Sequence, residues 1–214
     1  KGIELYVVND IPDLTIYGFG SANNGGGTDG QEFTFPAGTA TAGDYIYIAS
    51  SSATFITWFG FAPDYTTGFA GINGDDAIEL FCNGVVIDVF GDINVDGTGQ
   101  PWDHVDGWAY RVSATGPDGT TFDLASWTFS GPNAWDGETT NGTAAVPMPI
   151  GTFTSSCDGG GGSTTYTCTQ EIEILPTPDA FAGGNQVVCG AIDVNLGAAG
   201  LTGTWSGGLG SFTD

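Results

Sequence analysis

The sequence predicts an all-β fold of sandwich type, and three observations carry that prediction. Short apolar runs recur with turn signals between them at intervals of about 8–12 residues, the spacing expected of packed antiparallel strands. The acids are 19 Asp against 6 Glu, and Asp favours turns and caps where Glu favours helix interiors. No window sustains apolar residues at i, i+3, i+4 and i+7, so the sequence gives no expectation of amphipathic helices.

Taken in order, the first strand is expected over residues 2–8, Gly2-Ile3-Glu4-Leu5-Tyr6-Val7-Val8. A domain seldom opens inside its own sheet, so the chain is expected to be a piece of a longer protein. A second strand over 14–19 gives way to the loop Asn23-Asn24-Gly25-Gly26-Gly27. A third, 32–35, stops at Pro36, which cannot donate to a ladder. After the turn Ala42-Gly43-Asp44 comes an alternating strand over 45–49. Runs at 77–81 and 85–90 flank Cys82-Asn83-Gly84, and Asn-Gly between two apolar runs is the strongest short hairpin signal. Strands over 108–112 and 126–129 continue the series, and a looped polar stretch fills 131–149. Asp158-Gly159-Gly160-Gly161-Gly162-Ser163 reads as a flexible linker or wide loop. A long strand over 164–175 follows, and Pro176-Thr177-Pro178 makes a stiff hinge. The expected organisation is therefore a β-sandwich over 1–157, a connecting stretch over 158–178, and the start of a second β module over 179–214.

Composition narrows the function. The 214 residues carry 2 Lys+Arg against 25 Asp+Glu, a formal net charge of −23. Phosphate recognition needs clustered basic side chains, and here they are Lys1 and Arg111 alone. The same field repels polyanions and anionic membrane surfaces. No stretch approaches the about 18 consecutive apolar residues of a spanning helix. Disorder is not expected, because 40% of residues are apolar and 14 Phe, 7 Tyr and 6 Trp supply core material. The 37 glycines keep no three-residue period, so the chain is not collagen-like.

Four cysteines, Cys82, Cys157, Cys168 and Cys189, lack Cys-x-x-Cys spacing and a neighbouring histidine, which disfavours zinc. They allow three pairings. Cys157–Cys168, at the two ends of the glycine loop, is the disulfide expected, and it would contribute about 2–3 kcal/mol by closing a short loop. Four reduced, buried thiols are the alternative. An acidic, Lys-poor, Thr- and Gly-rich β protein points outside the cell, where disulfides persist.

A succession of elements over the first 150 residues or so resembles a known family. Ile3-Glu4-Leu5-Tyr6 and Leu14-Thr15-Ile16-Tyr17 precede Ala42-Gly43-Asp44-Tyr45-Ile46-Tyr47-Ile48-Ala49. Then come Asn73-Gly74-Asp75-Asp76-Ala77-Ile78-Glu79-Leu80 and Val86-Ile87-Asp88-Val89-Phe90-Gly91. Asp96-Gly97-Thr98-Gly99 with Trp102, and Tyr110-Arg111, complete the order. Together these resemble the bacterial lamin-tail domain, which implies an immunoglobulin-like β-sandwich. The family usually opens with one more strand ahead of the Ile-Glu-Leu-Tyr element, in keeping with the expectation of a fragment. Residues 178–189 with Gly203-Thr204-Trp205-Ser206-Gly207-Gly208 are similar to the Ig-like or PKD-like repeats of large adhesins in bacteria that use type IX secretion. The resemblance implies a non-catalytic module of a larger secreted or outer-membrane-associated surface protein, structural or adhesive, with a carbohydrate-binding module or the accessory domain of a secreted nuclease or phosphoesterase as alternatives, and with no catalytic residues to carry over. Its partners would be other domains of that protein, glycans, or surface and secretion-system proteins.

Five local features are candidate sites. Asp92-Ile93-Asn94-Val95-Asp96-Gly97, with Asp103 at position 12, matches the opening of a calcium loop: oxygen ligands at positions 1, 3 and 5 and a glycine at 6. Asp stands at position 12 in place of the bidentate Glu, and a solvated Asp/Asn turn is the competing reading. Asp75 and Asp76 precede a strand and read as turn formers before they read as metal ligands. His104, between Asp103 and Asp106, has base-like neighbours but no partner nucleophile, and nothing selects a glycosidase pair from 25 acids. Trp58, Trp102 and Trp135 are candidates for stacking on a sugar ring, with core packing as the alternative. The run Phe55-Ile56-Thr57-Trp58-Phe59-Gly60-Phe61 is denser in aromatics than one strand face can bury. Asn141-Gly142-Thr143 is a glycosylation sequon, relevant only in a host that glycosylates Asn.

Overall fold

The computed structural model describes residues 1–155, which fall in the first of the two contact units into which the chain divides, Lys1–Glu171 and Ile172–Asp214. The Cys157–Cys168 pairing, the glycine linker, the strand over 164–175, the proline hinge and the second module all lie outside the described residues. Within them the protein is mostly β, with one short helix and three sheets.

The first sheet orders β1 (Gly2–Tyr6), β4 (Tyr45–Ala49) and β5 (Tyr65–Thr66), with β1 antiparallel and β5 parallel to the central β4. The second orders β3 (Phe33–Thr34), β2 (Tyr17–Ala22), β6 (Ala77–Cys82) and β7 (Val85–Phe90), all antiparallel. β8 (Ala109–Arg111) and β9 (Trp127–Phe129) form a separate antiparallel pair. One core joins the first two sheets. Ile46 and Ile48 from the first pack with Phe19 from the second, and Val7, Leu14, Phe35 and Ala70 fill between them. The two-residue period of a strand explains the division of β1: Ile3 and Leu5 pack on this core, which leaves Glu4 and Tyr6 on the opposite face.

The hairpin read at Asn83-Gly84 is present. Cys82 pairs with Val85, and both loop residues have positive φ, 50° and 77°, as a type I′ turn requires. A second cluster is built on Phe90, whose ring meets those of Trp102, Phe122, Trp127 and His104 edge-on. Beside it Arg111 donates to Asp88 at 2.6 Å and Asp118 at 2.8 Å and lies over the Trp127 ring at 4.4 Å. That fork ties the turn carrying Asp118 to β7 and β8.

The sequence expectation of no helix is corrected by α1 (Ser52–Phe59). Its ends are chemically marked: the Ser51 hydroxyl accepts from the Thr54 N–H, and Gly60 closes the helix in the left-handed region at φ 84°. The dense aromatic run is thus a helix plus its exit, with the Phe55 and Phe59 rings one turn apart in tilted contact at 4.7 Å. Residues 14–16, expected as strand, form a 3-10 turn capped by Asp13, so β2 begins only at Tyr17.

Candidate functional site

The loops that carry the acidic candidates and His104 converge around the ends of β2, β6 and β7. Gly27 N–H donates to the Ile93 carbonyl, Gly97 N–H to the Asp75 carbonyl, and His104 N–H to the Gly74 carbonyl. Gly97 is required by this approach, because a Cβ there would stand 2.5 Å from the Trp102 ring and 2.6 Å from the Asp75 oxygen.

In the calcium-like loop each carboxylate is engaged by backbone close to it in sequence. Asp92 accepts from the Asn94 N–H at 2.9 Å, and Asp96 from the Thr98 N–H at 2.9 Å. Asp103 accepts from Gly99 at 2.8 Å and Val105 at 3.1 Å. The Thr98 donors hold the Asp96 carboxyl below its ordinary value. Among the described residues no three His, Cys, Asp or Glu side chains gather where they could hold a metal ion. The motif spacing serves Asx turns: an Asp placed two residues before the N–H it binds gives the same alternation of oxygens as a calcium loop.

Asp76 joins two loops. It is 5% exposed, and its two oxygens accept from Asn24 N–H at 3.1 Å and Asn73 N–H at 3.2 Å. Asp75 accepts from the Thr98 hydroxyl at 2.9 Å through one oxygen, and its other oxygen is buried without a hydrogen bond. Glu79 on β6 is the other buried acid among the described residues, and its Oε2 makes no hydrogen bond.

His104 sits edge-on to Phe90 at 5.3 Å, with Nδ1 3.1 Å from the Trp102 carbonyl. Accepting geometry at a carbonyl places the proton on Nδ1. Burial lowers the ring's pKa from its ordinary value, against the opposing pull of that carbonyl and of Asp103 and Asp75.

The tryptophans separate. Trp102 is 4% exposed and edge-on to Phe90, so it has no open face for a sugar and belongs to the core. Trp58 and Trp135 are half-buried and meet at 4.8 Å, on the side where Phe59 also approaches Trp135. Trp135 and Trp108 both donate their indole N–H to the Val146 carbonyl at 3.1 Å, while the Trp58 N–H is buried without a partner. Ile56, 44% exposed, and Phe61 are apolar neighbours on the same segment. This is the aromatic surface the structure keeps. Asn141 of the sequon is clamped to Met148, accepting from its N–H at 2.8 Å and donating to its carbonyl at 3.0 Å.

A group of residues without any local sequence signal lies on the outer face of the first sheet. Glu4 accepts from the Tyr110 hydroxyl and the Gly151 N–H, both at 2.7 Å. Burial raises its pKa against the effect of those two donors. Tyr110 and Tyr47 are pushed up to about 12, chiefly by burial. Strand alternation could place Glu4 outward, but no local pattern announces a partner more than a hundred residues away.

No family model, curated protein or solved structure matches the chain. No helix among the described residues is long and apolar enough to cross a membrane.

Proposed function

We propose that the chain is a non-catalytic structural and adhesive module of a larger bacterial surface or secreted protein. In this reading residues 1–155 are an immunoglobulin-like β domain of lamin-tail type that spaces or presents its neighbours outside the cell. One observation supports it above the others. The polar side chains that chemistry would need hold backbone instead: Asp76, Asp92, Asp96 and Asp103 each accept from main-chain N–H groups, and His104 faces a carbonyl. A site assembled for turnover keeps such groups aimed at a reacting atom.

The test places the chain between two fluorescent reporter domains and measures their separation by energy transfer. The expected result is a fixed separation, unchanged by glycans, phosphoesters or peptides, with none of these consumed. Turnover of any of them, or a separation that shifts when one is added, would overturn the reading.

The Trp58–Trp135 pair favours a second reading, a glycan-binding module, because half-exposed rings beside exposed Ile56 and Phe61 offer a stacking surface. Titration of a glycan panel followed by tryptophan emission decides it: a saturable shift that Trp135→Ala abolishes supports it, and a flat response across the panel removes it.

A further inference from the structure

We propose that Glu4, Tyr45 and Tyr110 form a side-chain latch that fastens residues 151–154 onto β1 and resists tension in shear. The proposal rests on the structural reading above and gives it a mechanical part.

The latch is a set of bonds between the two ends of the described chain. Glu4 Oε2 accepts from Gly151 N–H at 2.7 Å, and Glu4 Oε1 accepts from the Tyr110 hydroxyl at 2.7 Å. The same Tyr110 oxygen accepts from Thr152 N–H and Phe153 N–H, each at 3.0 Å. The Tyr45 hydroxyl donates to the Phe153 carbonyl at 2.5 Å. Phe153, 8% exposed, packs edge-on against Tyr6 at 5.1 Å, and Tyr6 meets Tyr45 at 5.2 Å. Beyond it, Thr154 N–H donates to the Ser113 hydroxyl at 3.1 Å, and the Ala114 N–H to the Thr154 carbonyl at 2.8 Å.

The contacts also fix a direction. Gly151 lies at Glu4 and Phe153 at Tyr6, so the segment runs parallel to β1. The β1–β4 register agrees, since Glu4 pairs with Tyr47 and Tyr6 with Tyr45. Tension entering at Lys1 pulls β1 towards its beginning, while tension leaving past Ser155, where the chain continues to Asp214, pulls the segment the opposite way. The Glu4, Tyr45 and Tyr110 bonds and the Phe153–Tyr6 contact then lie side by side across the line of force. They must yield together. A hairpin pulled open at its turn loses its bonds one after another, so it yields at a lower force. Each bond is modest alone, and it is their simultaneous loading that makes the junction stiff. The Glu4 carboxylate is the central element because it binds the segment and also orients the Tyr110 hydroxyl towards two further N–H groups.

Single-molecule pulling on the full chain tests this. One geometry holds the two chain ends, and the other holds the first residue and a tag inserted in the Asn83-Gly84 turn. The end-to-end geometry is expected to unfold residues 1–155 at a force at least twice that of the second. Tyr110→Phe, which keeps the ring and removes the oxygen, is expected to lower the end-to-end force by about half and leave the other unchanged. Equal forces in the two wild-type geometries would overturn the latch, as would a Tyr110→Phe variant of unaltered end-to-end force. The wild-type comparison stands even where a variant folds poorly. Failure here leaves the reporter-separation result untouched, so failure of the latch is distinguished from failure of the structural reading it rests on.

Discussion

Burial of the His104 imidazole beside Phe90 makes its neutral form the favoured one in the fold, and burial lowers its pKa. In the unfolded chain the ring titrates near its ordinary value of about 6.5. The folded pKa lies below the unfolded one, so the stability His104 contributes is complete above about pH 6.5 and is lost as pH falls towards the folded value. The raised Glu4 and Asp88 act with the opposite sign, since a folded carboxyl of raised pKa favours the fold at lower pH. Thermal midpoints are therefore expected to fall between pH 7 and pH 5.5 in the wild type and to stay flatter in His104→Asn, whose amide can still reach the carbonyl. Parallel pH curves for the two proteins would remove the assignment. Asp76 offers a second measurement at this scale. Asp76→Ala leaves two N–H groups from loops 52 and 3 residues distant without their acceptor, and the expected loss is about 3 kcal/mol in denaturant unfolding. Asn in its place keeps one acceptor and should recover part of that loss. These roles were only half legible beforehand. An acid pair ahead of a strand reads as turn formers, and Asp76 does accept from the N–H of Asn73 three residues back, but the Asn24 partner comes from tertiary packing that no local spacing encodes.

Strands were legible where alternation and turn chemistry coincide. Tyr45–Ala49 alternates cleanly after Gly43, and Val85–Phe90 follows an Asn-Gly turn, so both appear at the expected bounds. The helix was not, because apart from Ala53 the residues of Ser52–Phe59 are Ser, Thr, Phe, Ile and Trp, of middling helix propensity and without a charged face. What places it is tertiary: Phe55 is buried, and its ring meets Tyr47 on β4 and Phe61 beyond the exit. The end signals, Ser51 before it and Gly60 after it, were present in the sequence and outweighed by the apolar run between them. Gly60 supplies the corresponding test. Its φ is 84°, and a Cβ there would meet nothing within 4 Å. Gly60→Ala therefore isolates the backbone term, and the expected cost is about 1 kcal/mol by denaturant titration. An unchanged midpoint would mean that the helix exit relaxes freely and does not aim Phe61 at Tyr47.

The charge imbalance becomes a physical statement about the whole molecule once both basic residues are located. Arg111, with its side chain 11% exposed, is enclosed by Asp88 and Asp118, and the Lys1 ammonium donates to the Gly71 carbonyl at 3.2 Å. The formal charge of −23 is thus mostly carried by acids with no cation beside them. Their mutual repulsion is weaker in the expanded unfolded chain, so it destabilises the fold, and only dissolved ions screen it. The screening length falls from about 30 Å at 0.01 M salt to about 10 Å at 0.1 M. Raising sodium chloride across that range should lift the thermal midpoint of the chain by several degrees. Arg111→Met should deepen the dependence, because it removes one positive charge and leaves Asp88 and Asp118 facing each other; its own cost at fixed salt is about 3 kcal/mol. Divalent ions refine the test. The carboxylates of Asp92, Asp96 and Asp103 do not converge on one point, so calcium and magnesium at equal concentration are expected to raise the midpoint alike. A calcium increment well above that of magnesium, abolished by Asp96→Ala, would show that the 92–103 loop closes around the ion despite its turns. Equal increments would leave the acids as turn pins whose shared field, and not any single ion, sets how firmly the fold holds.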